Sequence, residues 1–218
     1  VFDKLPSEVV DLGTQVGELS VLAAQAHGLT PGIPVAQGPA DAWAGQIGLG
    51  VVTPGKMALI TGSSHVLTGQ SDKQIHGQGF FGGFTDSVVK GQYTVEGGQV
   101  STGSVLKWFK DNFAKDVVAA AAQTGLNAYD LLAQKAKGVP IGSDGLIINE
   151  YFQGNRTPYT DSKARGMIWG LTLAHGPEHF YHAIQEAVAY GTAHNLEAMK
   201  AQGFEVKEMV AAGGATQS

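Results

Sequence analysis

The stretch GNRTPYTDSKARGMIWGLTLAHGPEHFYHAIQE, residues 154–186, joins a polar loop to the start of a long helix and sets the fold class. Before it, DGLIINEYF (144–152) is an apolar run of strand character, and QGNRTPYTDSKAR (153–165) is rich in turn-forming and charged residues. A helix is predicted from about Pro177 to Gln202, with proline in the first turn, where its missing N–H costs nothing. Phe180, Ile184, Val188 and Leu196 lie along one side of it. The chain then passes into EVKEMVAAG (205–213), another strand. Strand, loop, long helix and strand, with no internal repeat, give an α/β protein.

The composition fits one good-sized domain or parts of two: 218 residues, 43% hydrophobic and 15% charged. The net charge is −5, from 14 Lys and Arg against 19 Asp and Glu, and no basic stripe is present. That argues against a nucleic-acid binder. Cysteine is absent, so disulfides, thiolate metal sites and a cysteine nucleophile are excluded. No apolar stretch approaches a membrane span, and VFDKLPSEVVDLG at the start lacks the form of a signal peptide. The expectation is a cytoplasmic protein without membrane partners. Both ends look cut: the chain starts at Val1 and stops after a strand and glycine turn, EMVAAGGATQS, so a fragment of a longer enzyme is expected.

Working back towards the N-terminus, SVLAAQAH (20–27) is predicted as a helix started by Ser20 and stopped by Gly28. GIPVAQG (32–38) reads as a short buried strand, followed by a helix from Asp41 to Gly48. MALIT (57–61) and HVLTG (65–69) form a hairpin across Gly62, Ser63 and Ser64. Strands are predicted in GFFGGFT (79–85) and GQYTVEGG (91–98). SVLKWFKDNFA (104–114) shows helical spacing in Val105, Trp108, Phe109 and Phe113, and NAYDLLAQKAK (127–137) is a helix capped by Asn127 and closed by Gly138. In GPADAWAGQIGLG (38–50), Asp41 stands at a strand-to-helix turn, where the local reading is an N-cap accepting a free N–H of the first turn.

Five stretches occur in a fixed order: GPADAWAGQIGLG, ALITGSSHV, TVEGGQVSTGSVLKWFKD, QGNRTPYTDSKARGMIWGL and AAGGATQS. Together they resemble the FGGY carbohydrate kinases, over nearly the whole chain, and the 154–186 stretch follows a signature pattern of that family closely. Gln185 departs from it, where an apolar residue is expected. The resemblance implies a ribonuclease H-like, actin-type ATPase fold, a mixed sheet with flanking helices. Residues 1–48 would end the family's N-terminal domain, and residues 49–218 would form most of its nucleotide-binding C-terminal domain.

The same resemblance implies ATP-dependent phosphorylation of a sugar hydroxyl, with Asp41 as the general base that also touches the sugar. A hydroxyl is a weak nucleophile, and a positioned carboxylate that takes its proton contributes ~10²–10⁴-fold. A helix N-terminus favours the ionised state a base needs. Gly62, Ser63 and Ser64 match a Gly-Thr-Ser phosphate contact, Ser63 keeping the hydroxyl of the commoner threonine. In isolation they are an ordinary hairpin turn. Gly213, Gly214 and Ser218 match a glycine turn beside adenine, and Gly103 and Lys107 match positions lining the nucleotide cleft, Lys107 being equally readable as a solvated helix residue. Glu96 resembles the ribulokinase branch, where a Glu-x-Gly-Gln stretch reaches the substrate, set against a strand-end glutamate in solvent. His65 reads as a core or surface histidine, and Arg156 as a structural residue pairing with a loop carboxylate.

The expected activity is that of a ketopentose kinase, ribulose-like, with ATP as the phosphoryl donor and Mg2+ as its companion ion rather than a protein-held metal. A kinase for xylulose, glycerol, a tetritol or gluconate is the alternative within the enzyme class. A non-catalytic actin-like ATPase or sugar-binding module is the alternative outside it. A homodimer is left open. The fragment alone is expected to be inactive, because the family's first phosphate loop is not found in it.

Overall fold

The computed structural model describes residues 2–4, 6, 8–79 and 81–216. After a short 3-10 turn (Phe2–Lys4) come β1 (Gln15–Glu18), α1 (Val21–His27), β2 (Pro34–Ala36) and α2 (Asp41–Gly48). Ser20 caps α1 by accepting the Ala23 N–H at 3.3 Å, and Gly28 ends it in the left-handed conformation. Both local signals therefore act as read from sequence. β1 and β2 form an isolated antiparallel ribbon. The GIPVAQG strand is present but exposed along its whole length, because β1 is its one strand partner and no second layer covers it among the described residues.

The central sheet follows, made of β3 (Lys56–Thr61), β4 (His65–Ser71), β5 (Phe81–Thr85), β6 (Tyr93–Gln99) and, after the helices, β9 (Glu208–Gly213), in the order β5-β6-β4-β3-β9. β3 and β9 are parallel, and the other pairs antiparallel, so the sheet is mixed. Between β6 and β9 come α3 (Gly103–Phe113), α4 (Lys115–Thr124), α5 (Ala128–Ala136), the short hairpin β7 (Ile147–Asn149) and β8 (Met167–Trp169), and α6 (Pro177–Ala201). Asn127 caps α5 through the Tyr129 N–H at 2.9 Å.

Two apolar clusters hold these layers. Met57, Leu67, Val95, Met199 and Phe204 join the sheet to the C-terminal half of α6. Val105, Phe109, Val117, Leu132, Leu146, Ile148, Tyr181 and Ile184 join α3, α4, α5 and β7 to its N-terminal half. α6 thus spans both cores. Of the α3 positions chosen by spacing, Val105 and Phe109 are buried, whereas Trp108 and Phe113 are exposed. Gln185, the departure from the family pattern, lies on the exposed side of α6, where a polar residue has no burial cost. The opposite face of the sheet carries α2: the Gln46 carboxamide accepts from Thr68 Oγ1 at 2.7 Å and donates to the Val51 carbonyl at 2.8 Å. Among the described residues no helix is long and apolar enough to cross a membrane.

Candidate active site

The candidate residues fall into two groups. The first gathers at the carboxyl ends of the parallel strands β3 and β9, the side on which open α/β sheets bind ligands. The hairpin Gly62-Ser63-Ser64 leaves β3 there and docks on the start of α3. Thr102 and Ser104 donate their N–H groups to the Ser63 carbonyl at 3.0 and 3.1 Å, and Gly103 donates to the Gly62 carbonyl at 3.2 Å. The hairpin carbonyls thereby satisfy free N–H groups of the first turn of α3. A Cβ at Gly103 would sit well inside 3.0 Å of the Gly62 oxygen, so close docking requires glycine.

Gly213, at the end of β9, pairs with Thr61 and has φ 112°, a left-handed value suited to glycine. Thr61, which sequence reading missed, fastens this corner: its hydroxyl donates to the Ala212 carbonyl and accepts the Ala215 N–H, both at 3.1 Å. Gly62, Ser63, Gly213 and Gly214 are exposed. Ser218 lies outside the described residues. Exposed Ser63 and half-buried Ser64 bring hydroxyl donors suited to phosphate oxygens. Among the described residues no group of three or more His, Asp or Glu side chains gathers to hold a metal ion. Lys107 is turned along its own helix into an ion pair with Asp111.

Beneath the hairpin lies a buried polar layer, of which sequence reading singled out His65, as a core or surface histidine, but not its link through Gln99 to Glu150. His65, the first residue of β4, is 7% exposed, and its Nδ1 meets no partner. Burial pushes its pKa down, with Gln99 opposing. Gln99 donates to Glu150 Oε1 and to the Val188 carbonyl, both at 3.1 Å, and accepts from Thr192 Oγ1 at 2.8 Å. Burial pushes the Glu150 carboxyl up, with Gln99 opposing. Gly191 of α6 makes room for this pair.

The second group is Asp41 and Glu96, on the α2 face of the sheet. Asp41 is the first residue of α2 rather than its cap: Ala40 holds the N-cap position, and Asp41 Oδ1 accepts the neighbouring Ala42 N–H at 2.8 Å. Asp41 is exposed and makes no other side-chain hydrogen bond among the described residues, so the bond to Ala42 leaves Oδ2 free. Glu96 lies three residues before Gln99, the partner of His65, or roughly 10 Å along β6 from the hairpin end at about 3.3 Å per residue. It is not a solvated strand end. Trp43 Nε1 donates to its Oε2 at 3.1 Å, and Arg156 forms an ion pair with its Oε1. Arg156, expected to pair with a loop carboxylate, instead bonds a strand residue.

Residues 57–218 match the family model described as the FGGY family of carbohydrate kinases, C-terminal domain. Over 217 residues the chain is 36% identical to a ribulokinase of Halalkalibacterium halodurans, covering 98% of this chain and 38% of that protein. It is 33% identical to a ribulokinase of Mycolicibacterium smegmatis, with the same coverage. Among solved structures, a xylulose kinase from Rhodospirillum rubrum superimposes with a TM-score of 0.77 at 29% identity, over 96% of this chain and 40% of that one. The chain thus spans about two fifths of the length of the relatives it matches.

Proposed function

The chain belongs to the FGGY family of carbohydrate kinases and has the mixed, helix-flanked sheet of the actin-like ATPase fold, and from that premise we propose that its full-length protein phosphorylates a sugar hydroxyl with ATP. A ketopentose of the ribulose type is the substrate, a reading supported by the ribulokinase relatives and by a carboxylate, Glu96, held on the α2 face of the sheet. Asp41 is the general base. It takes the proton of the attacking hydroxyl as the sugar oxygen bonds to the γ-phosphorus, and the bond from that phosphorus to the β,γ-bridging oxygen breaks to release ADP. Gly62, Ser63 and Ser64 hold phosphate oxygens, while Gly103, Gly213 and Gly214 shape the nucleotide side. Lys107 reaches the nucleotide only by leaving Asp111. Mg2+ travels with the nucleotide. Residues 1–48 belong to the first lobe and 49–218 to the second.

The observation that carries this reading is the arrangement on one sheet. A hydroxyl-bearing corner closes the carboxyl ends of β3 and β9, and a carboxylate with one oxygen free begins the helix laid across the neighbouring face. The test is ADP release by the full-length protein with ribulose, xylulose, glycerol, erythritol and gluconate in turn, for wild type and Asp41→Asn. Ribulose-dependent turnover that Asp41→Asn lowers by about 10²-fold or more supports the reading. ADP release independent of every sugar overturns it in favour of an actin-like ATPase, and no ADP release with any sugar overturns it in favour of a non-catalytic sugar-binding module. The 218 residues alone are expected to show no turnover, and sugar phosphorylation by them would contradict the division into lobes. A xylulose-type substrate is the second reading, favoured by the likeness to the Rhodospirillum rubrum enzyme.

A further inference from the structure

Glu96 has two tethers that come from distant parts of the chain. Trp43, from the first turn of α2, holds Oε2, and Arg156, from the loop between β7 and β8, holds Oε1. The side chains of Glu96 and Arg156 are 17% and 25% exposed, so water competes weakly for the pair. β5 supplies an aromatic wall on each side. The Arg156 guanidinium lies 5.0 Å from the centre of the Phe81 ring, and the Trp43 and Phe84 rings are 5.4 Å apart.

The loop carrying Arg156 is itself fastened to the strand that carries Glu96. Thr157 Oγ1 accepts the Gly98 N–H at 3.2 Å, two residues along β6 from Glu96. Asn155 bridges the loop, donating to the Thr157 carbonyl and accepting the Tyr159 N–H at 2.9 and 2.8 Å. Arg156 is thus held between two anchored neighbours, on a rigid support. At the other end, Trp43 lies two positions after Asp41 in the same helical turn, so a bond fixing the indole also fixes the turn that presents Asp41.

We infer that Arg156 and Trp43 are positioning residues: Arg156 orients Glu96 towards the sugar, and Glu96, through Trp43, sets the orientation of the α2 turn that carries Asp41. This rests on the kinase reading above. A carboxylate has about four acceptor sites and two are used here, so Glu96 still has lone pairs for a sugar hydroxyl. The tethers leave substrate contact open while restricting its direction. The consequence is a division of labour. Loss of Arg156 acts first on the sugar contact and reaches the base only through Glu96 and Trp43, whereas loss of the Trp43 N–H acts on the base directly. Neither residue belongs to the nucleotide corner.

Two measurements test this. In the 218-residue chain, the side-chain N–H resonances of Trp43, Trp108 and Trp169 are recorded by two-dimensional NMR and assigned with Trp43→Phe. The Trp43 resonance is expected downfield, as a donor to a carboxylate, and it should move upfield in Glu96→Leu and shift in Arg156→Leu, with those of Trp108 and Trp169 unmoved. In the full-length protein, Arg156→Leu should raise KM for the sugar by about tenfold to a hundredfold and lower kcat less than Trp43→Phe does, with KM for ATP nearly unchanged, and Arg156→Lys should restore part of the loss. Trp43→Phe should lower kcat by about tenfold or more and leave KM for ATP unchanged. An unshifted Trp43 resonance in Glu96→Leu, or sugar KM and kcat within about twofold of wild type in both loss variants, overturns the inference. Wild-type protein without sugar-dependent ADP release overturns the kinase reading and this inference with it. An active wild type with indifferent variants overturns the inference alone.

Discussion

Replacing Gly103 by alanine tests how the hairpin is held. The added methyl would strike the Gly62 carbonyl oxygen well inside 3.0 Å, with the Gly62 carbon at 3.3 Å and Ser63 Cα at 3.7 Å behind it. All three are backbone atoms, so no rotamer change relieves the clash. Moving the hairpin away lengthens the bonds from Thr102, Gly103 and Ser104 to the Gly62 and Ser63 carbonyls, of which the Gly103 bond at 3.2 Å has least to spare. Overpacking of this kind costs about 1–3 kcal/mol. Alanine in place of glycine in a helix returns at most about 1 kcal/mol. The net loss centres on about 1–2 kcal/mol, which at about 2–4 °C per kcal/mol for a domain of this size lowers Tm by roughly 2–8 °C. Gly62→Ala is the internal control. A Cβ there meets only the Ser64 carbonyl oxygen at 3.7 Å, an ordinary contact, so its Tm should stay within about 2 °C of wild type. Calorimetry gives both values, and amide exchange at Thr102 and Ser104 should quicken in Gly103→Ala alone. Equal Tm values for the two variants, or unchanged exchange at those amides, would refute the docking argument.

Thr61→Val removes the hydroxyl that joins Ala212 to Ala215 and should cost about 1 kcal/mol, water replacing part of the loss at exposed Ala215. The sensitive readout is Ala215 amide exchange, which must accelerate if the hydroxyl fastens this turn. Gly191→Ala should destabilise by about 1–2 kcal/mol despite its better helix propensity, because the methyl meets Glu150 Oε1 and Gln99 Nε2. In a Glu150→Ala background, where one of the two contacts is gone and Gln99 has lost one of its acceptors, the same change should cost less in urea unfolding, and additive effects would refute the contact. Glu150 also sets a pH dependence. Burial raises its carboxyl above the ordinary 4.5, so the unfolded chain ionises first, and stability from this group is full below 4.5 and falls as pH rises through the folded value. Glu150→Gln cannot ionise and keeps an acceptor for Gln99, so its stability relative to wild type should grow from pH 4 to neutrality in denaturant titrations. A constant difference across that range would contradict the assignment.

What sequence alone revealed was local in origin. Ser20, Gly28 and Asn127 act on atoms within a few residues of themselves, and the β3–β4 hairpin is a short-range pairing. Elements specified by distant partners stayed hidden. β1 and β8 are strands of four and three residues, too short for alternation to register, and each is defined by a single neighbour. α4 escaped because its alanine-rich stretch KDVVAAAAQT buries only Val117 and Ala121. β2 looked buried because its apolar residues carry no mark of the missing second layer.

The candidate site divides the same way. Gly62, Ser63, Ser64, Gly213 and Gly214 stood out as turns, yet what makes them one corner is Thr61, an unremarked strand-end residue whose hydroxyl binds residues 151 and 154 positions away. Glu96 was legible as a carboxylate, but its environment comes from 53 residues upstream and 60 downstream. A single sequence has no term for such pairings. It also cannot tell Gly103, whose missing Cβ lets a hairpin dock, from Gly214, where a Cβ would meet nothing within 4 Å. That contrast explains why motif order could point to the corner but not say which of its glycines are obligatory: the requirement lies in the atoms a side chain would strike, and those belong to other parts of the chain.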